Sequence, residues 1–596
     1  MKKILFVGIL GLLMCVSCTQ QIVREDFITD CEKSDFVKTP RFEETMAWFR
    51  KLADYSPMVK VGSFGTSPQG RDLSMVIVDK DGLQDPEKIR AKGRVIILIE
   101  SCIHAGEPDG KDASMIFLRD MIVDKKNIDL LDDVSFLFIP VFNVDGHEDF
   151  SATNRINQNG PEELGTRNPS QYLQLNRDFL KDDAPEMRAW LKLYNRWMPE
   201  LFIDVHVTNG ADFQYVTTYA IENRGTIMEE GLRQWSLNIY EKQLNERMEQ
   251  VGYPIFLYAS FRKYNAPESG ILIDIFDPRY SEGYAASRNR LGLLIENHIY
   301  KPYEPRVKAT IEAYIASARI LAENKESLVK AIANADKVVS SPEYRRKPMD
   351  LTFQPVNKDS VWGDYLSWAR DTVKSDLSGA DWVRHNYDKP ITLRCPLITS
   401  YEPTLSLQLP EAYILMPQWT DVIELLDLHD IKYTRIAEPK QVEVETYRYT
   451  KATFSTRQSE GRIPVLKTEY TTQKETLMVP EGSVLIDMNQ PNGRLAGWLL
   501  EPSAPGALVY WGFFNQVVQP THEFWIRLPY MEEKGRELLA KDPALKAEFE
   551  ERKKDPKFAN DPQAILNFFY QKVKKSAHQN NELHPAWRVM DRNQIF

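Results

Sequence analysis

Cysteine is scarce in this chain. Five occur among 596 residues, and Cys31, Cys102 and Cys395 lie far from one another and from Cys15 and Cys18, which excludes a disulfide framework or a cysteine-built zinc cluster. Histidine is nearly as sparse, with nine residues, so a metal site must combine histidines with carboxylates and each histidine can be weighed singly. The apolar run from Ile4 to Val16 stops short of the roughly 18 to 20 residues that span a bilayer. Positive charge is in deficit, with 75 basic against 85 acidic side chains and a net charge of -10, the opposite of the basic surface that nucleic acid demands. No repeat or low-complexity run stands out. A chain that is 43% hydrophobic, 27% charged and 11% aromatic is an ordinary folded protein able to bury sizeable cores. At about 150 residues per domain, its length implies two to four of them.

Lys2 and Lys3 before the run Ile4 to Val16 have the charge and length of a secretory signal. The run ends in "CVSC" before the polar "TQQ", which resembles the lipobox of bacterial lipoproteins, with residues 1–17 removed and Cys18 acylated. Removing Lys2 and Lys3 leaves 75 less two, or 73, basic side chains against 85 acidic ones, a net charge of -12. The expectation is a membrane-anchored protein of the bacterial cell envelope with a short tether over 18–39 and no nucleic-acid partner.

Apolar runs then alternate with helical segments. Strands are expected at 73–79, 94–100, 134–142, 200–207 and 291–298, and helices over "FEETMAWFRKLADYSP", near 111–123, near 184–196 and near 226–251. Near-continuous apolar strands between helices predict an α/β sheet covered on both faces, in which binding sites collect at the carboxyl ends of strands. His104 lies just past the run ending at Glu100, in "IESCIHAGEPDG", His206 ends "LFIDV" and Glu296 ends "LGLLI". A lone histidine in such a place is more often a hydrogen-bonded structural residue. Three strand-end residues together with Glu107 are harder to explain that way. Two histidines and a glutamate are a known ligand set for a catalytic zinc, which keeps its fourth position open. His104, Glu107 and His206 supply that composition. Glu296 supplies the base needed beside the water that the metal acidifies.

"HAGE", "NVDG", "LNRDF", "DVH" and "LLIEN", in that order over about residues 40 to 325, resemble the zinc carboxypeptidase family typified by carboxypeptidase A. The resemblance implies a mixed, mostly parallel sheet of about eight strands flanked by helices, one Zn2+ per chain on His104, Glu107 and His206, and Glu296 as general base. It also implies that Asn176 and Arg177 grip the substrate's terminal carboxylate and that Arg155, twelve residues after Asn143, stabilises the oxyanion. Forked guanidinium donors suit a carboxylate. Where the family usually has an aspartate that orients a zinc histidine, this chain has Gln174, whose amide oxygen is able to accept the same proton without adding charge. Tyr280 and Tyr284 are both imperfect matches to the family's substrate-capping tyrosine. Arg279, Arg288 and Arg290 are candidates for shaping substrate choice. His298 is the one rival ligand, since it shares a strand face with Glu296 at period two. His147 is expected to be structural or to support a ligand, and His385, His429, His522, His578 and His584 to be ordinary.

After about residue 330 the alternation stops. "SSPEYRRKP" reads as a linker, placed at 326–345, followed by an α+β accessory region over 346–596. There, 412–433 is expected as strand, helix and strand, 440–480 as antiparallel pairing, and 530–575 as two helices. The resulting expectation is a zinc-dependent carboxypeptidase with its catalytic domain at 40–325, acting on a peptide or peptide-like substrate. The alternatives are an amidase of cell-wall peptides or acyl-amino acids, and a peptide-binding protein that keeps the scaffold without turnover. Oligomeric state is left open.

Overall fold

The structure is a computed structural model that describes residues 23–208, 212–356, 361–519, 528–574 and 582–595. The leader 1–17, Cys18, His522 and His578 lie outside the described residues. Among the described residues, ten strands cover the first half: β1 (Val59–Thr66), β2 (Asp72–Val78), β3 (Val95–Ser101), β4 (Val134–Ile139), β5 (Leu201–Thr208), β6 (Thr217–Ala220), β7 (Phe256–Leu257), β8 (Ala259–Lys263), β9 (Ala266–Ile273) and β10 (Leu291–His298). Eight form one sheet in the order β1-β2-β4-β3-β5-β10-β6-β7. It is parallel from β4 through β3 and β5 to β10, and again between β6 and β7, and antiparallel at the β1–β2, β2–β4 and β10–β6 pairs.

Every residue of β3, β4 and β5 is buried, because helices cover both faces. On one face the helices Asp109–Ile122 and Tyr303–Glu323 pack Phe117 and Tyr314 together, with Phe117 against Phe136 and Phe138 of β4. On the other, Trp190 and Tyr194 of the helix Pro185–Trp197 meet Phe202 of β5 and Tyr284 of the helix Ser281–Ser287. Alternation along β5 places Asp204 and His206 on this second face with Phe202. β10 runs parallel to β5 in a register that sets Glu296 opposite His206, and β3 sets Glu100 opposite Asp204.

The divisions expected between domains are not seams. Residues 326–345 are the helices Lys325–Val339 and Pro342–Arg345, and Leu328, Ile332, Ala335 and Val339 are buried. Ser341 caps the second helix and Pro342 takes its first position, so the Ser-Ser-Pro that reads as a break is a helix start. The described part of the 18–39 tether is also folded: Phe27 and Cys31 are buried, and Glu32 pairs with Arg119. The strand Asp381–Ile398 of the second half bonds to β9 at Leu397 and Ile398. One connected core runs from Phe42 and Ile97 to Tyr413, Trp498 and Ala586.

The accessory region carries the expected strand Ala412–Leu415 and helix Thr420–Leu428, and the antiparallel pair Lys440–Phe454 and Val465–Val479, while the second short strand, Thr434–Arg435, begins one residue past the stretch 412–433. The first of the two helices expected after residue 530 is divided. Asp542 caps a new helix at Pro543, because proline fits a first helical turn and breaks a continuing one.

Candidate metal centre

β3 leaves the sheet at Ser101, and Cys102 turns the chain with a left-handed φ of 59°. The segment 104–108 then leads into the helix Asp109–Ile122. The two glycines in this stretch are steric requirements. A Cβ on Gly106 would lie 2.6 Å from the Gly165 carbonyl and 2.8 Å from Arg155, and one on Gly110 would lie 2.3 Å from Ser101 Oγ. The histidine and carboxylate placed there are thus clamped between neighbouring segments.

His104, Glu107 and His206 are buried and together. His104 Nδ1 and His206 Nδ1 face each other at 3.0 Å, and Glu107 Oε2 is 3.2 Å from each. A tetrahedral ion with bonds of 2.0–2.1 Å separates its ligand atoms by about 3.3 Å, so the spacing fits zinc. Two imidazole nitrogens aimed at one point are explained by a shared cation better than by a hydrogen bond between rings. Among the described residues this is the one group with metal-binding geometry.

The surroundings favour the ligand forms of His104 and Glu107, whereas His206 has to give up a proton to bind a metal. Burial pushes His104 down to about 4, against the pull of Glu107, and so keeps its ring neutral. Burial works against charge on Glu107 too, but His104 and Arg155 offset it and hold the carboxyl well below its usual range. At His206 burial is overcome by Asp204, whose Oδ2 lies 2.9 Å from Nε2 and raises the imidazole well above its ordinary value. Asp204 therefore orients His206. The orienting role weighed for Gln174 is not seen: its oxygen accepts from Arg167 at 3.3 Å, and His104 Nε2 has no hydrogen-bond partner.

Glu296 stands beside His206 with part of its side chain open and Oε2 enclosed without a partner. Burial, reinforced by Glu107, Asp204 and Glu282, lifts its carboxyl to about 8 despite His206. A bound cation would favour the charged form and oppose this shift. Arg155 lies at the metal group, but its donors are committed: Nη1 is 2.9 Å from Glu107 Oε1, Nε donates to Gln158 at 2.8 Å, and Nη2 reaches the Val207 carbonyl. Asn176 and Arg177 share a 3-10 turn. Arg177 stacks over Tyr280 with 4.5 Å between guanidinium carbon and ring centre, has no ion pair with a carboxylate among the described residues, and Asn176 Oδ1 is enclosed and unpartnered.

Besides Asp204, two residues near the site escaped the sequence reading. Arg167 lies 3.8 Å from Glu107 Oε1, and its guanidinium is lowered by burial and by Arg155 and Arg177, while Glu107 and Glu296 raise it. "GTRNPS" carries no signal beyond its nearness to "LNRDF". At Tyr258 the charge of Glu296, with burial, raises the phenol to about 12. It sits 38 positions earlier in an unremarkable "FLYAS". Tyr284 is fully buried and bonded to His429 and Arg288, so it caps nothing. Arg279, Arg288 and Arg290 are occupied by Asp277, by Asn195 with Tyr284, and by Asp336. His298 accepts from the Tyr300 amide and is outside the metal group. His147 is buried against Glu148. His429 and His584 are buried on tyrosine hydroxyls, and His385 stacks on Tyr387.

Residues 45–216 match the family model described as zinc carboxypeptidase. Carboxypeptidase 2 of Trichophyton rubrum is 24% identical over 494 residues, covering 79% of this chain and 83% of its own length, and Carboxypeptidase 2 of Trichophyton tonsurans shows the same identity and coverage. That extent exceeds residues 40–325, so the likeness continues into the second half. Among solved structures, a putative carboxypeptidase A from Shewanella denitrificans is 15% identical, covers 48% of this chain and 69% of that one, and has a TM-score of 0.37.

Proposed function

We propose that this chain, which belongs to the zinc carboxypeptidase family, removes C-terminal residues from peptides by reading their free carboxylate with Arg177 and Asn176. The observation that carries the reading is that the chain has both a complete His-Glu-His group and an arginine with no carboxylate partner among the described residues. His104, Glu107 and His206 would hold zinc, which when bound would supply Lewis acidity toward a water and a carbonyl oxygen. Glu296 takes the proton from the attacking water at its carboxylate and returns it to the amine that leaves. Arg155 fixes Glu107 through Oε1. Arg167, more open and farther from Glu107, is the freer donor for the negative charge that develops on the carbonyl oxygen.

A peptide amide of the same sequence leaves Arg177 without its charge partner. Losing one side of a buried charged pair costs on the order of 2 to 5 kcal/mol, or roughly 30- to several-thousand-fold in kcat/KM. The free acid is therefore expected to be cleaved far better than the amide, and Arg177→Ala to shrink that preference by lowering activity mainly on the acid. Steady-state kinetics on matched acid and amide peptides measure both. Equal cleavage of the two, or internal cuts in long peptides, rejects exopeptidase action in favour of an amidase.

We also propose that an acylated Cys18 anchors the enzyme to a bacterial membrane, on the strength of the lipobox-like "CVSC" after the apolar run Ile4 to Val16. No helix among the described residues is long and apolar enough to cross a membrane. Cys18→Ser is expected to abolish fatty-acid labelling and release the protein from the membrane fraction. An unsubstituted protein that is unlabelled and soluble after lysis ends this assignment.

A further inference from the structure

The segment that carries Asn176 and Arg177 is braced only in part from within, where Asp178 accepts from the Asp183 and Ala184 amides and pairs with Lys181. Between Gln174 and the helix that starts at Pro185 it has one 3-10 turn, and Asp182 is fully buried with a left-handed φ of 50°, a conformation that persists only where the surroundings enforce it. The remaining braces come from two stretches of the second half. Glu460 Oε2 accepts from the Gln174 backbone amide at 2.7 Å, two residues before Asn176. Arg462 binds Asp183 with two parallel hydrogen bonds of 2.6 and 2.7 Å, while its guanidinium lies 3.9 Å from the centre of the Phe513 ring. His429 Nε2 is 2.9 Å from Asp182 Oδ2 and 3.1 Å from the Leu180 carbonyl.

The other side of Arg177 is backed in the same way. Its guanidinium lies on Tyr280, and the neighbouring Arg279, held by Asp277, packs beneath Gly506, where a Cβ would come within 2.1 Å of Arg279 Cδ. Gly506 has a φ of 67°. Glu460 and Gly461, at the end of the hairpin formed by strands 440–454 and 465–479, have left-handed φ values of 50° and 76°. A glutamate in that region is uncommon and worth an explanation. Here it aims a carboxylate at Gln174, while Gly461 lies where a Cβ would meet Leu173 at 2.9 Å.

We propose that the second half of the chain forms the back wall of the substrate-carboxylate pocket, with Glu460 and Arg462 as positioning residues for Asn176 and Arg177. The proposal rests on Arg177 as the reader of the free carboxylate. It assigns the accessory region a part in recognition without any chemistry of its own.

The test uses the full-length zinc enzyme and the matched acid and amide peptides. Glu460→Ala and Arg462→Met are each expected to raise KM for the free acid about tenfold, on the scale of one charge-assisted hydrogen bond. kcat should stay within about threefold and zinc near one per chain. Glu460→Gln keeps an oxygen that accepts from Gln174 and should restore most of the affinity, which a general loss of stability would not do. KM values within twofold of the unsubstituted enzyme in both variants, alongside a large rise in Arg177→Ala, overturn the proposal and leave the carboxylate reading intact. A parallel fall of kcat and zinc content on both peptides also overturns it, because the wall is then merely structural. An Arg177→Ala enzyme that keeps its preference for the acid removes the carboxylate reading and this proposal with it.

Discussion

Glu296→Gln is expected to lower kcat by about 10²- to 10⁴-fold, the contribution of a positioned general base, while zinc remains bound. Glutamine keeps the size and shape of the side chain and loses its capacity to take a proton. Glu296 is outside the ligand group, so three ligands survive the change. Other carboxylates nearby are poorly placed to replace it: Asp204 is held by His206, Glu282 takes a hydrogen bond from Ser281, and Glu100 is fully buried. Glu296 alone among these keeps part of its side chain open. Turnover on a free-acid peptide, measured beside the zinc content of the same preparation, checks the prediction. Near-normal turnover with zinc bound would mean that another group is the base.

His104→Ala and His206→Ala should each remove the metal and, with it, activity. Purified enzyme is expected to hold about one zinc per chain, and either variant near none after dialysis, because two protein ligands hold zinc weakly. The fold should survive the loss. His104 follows β3 and His206 lies within β5, strands whose core residues, such as Ile97, Ile99, Ile203 and Val205, are buried without reference to the metal. Metal analysis combined with a thermal unfolding scan separates the two effects. Full zinc occupancy in both variants would end the ligand assignment.

The ligands were legible because His104 and Glu107 follow β3 and His206 lies near the end of β5, both buried strands whose apolar runs are visible in the chain, and because a sheet of this kind collects its strand ends along one edge. Glu296 was legible for the same reason, although its register against His206 was not. Gln174, Arg462, His429 and Glu460 were illegible as contacts. Their partners lie on loops between about 250 and 290 positions away, and a single carboxylate meeting a backbone amide leaves no period in the sequence. Arg155 was found by motif spacing, but only the structure shows its donors spent on Glu107, Gln158 and Val207. The break expected at 326–345 failed because Ser-Ser-Pro is written alike for a linker and for a capped helix.

The parallel register of β5 and β10 makes the distance between base and ligand a property of backbone hydrogen bonding. Neighbouring strands lie 4.7 to 4.9 Å apart whatever side chains they carry, and a slip of one residue would turn Glu296 to the opposite face. No continuous path of intermediate geometries connects these two arrangements. Loss of stability in this sheet therefore depletes the number of competent molecules and does not produce a population of uniformly slower ones. Any graded control of rate has to act through the loops that frame the cleft.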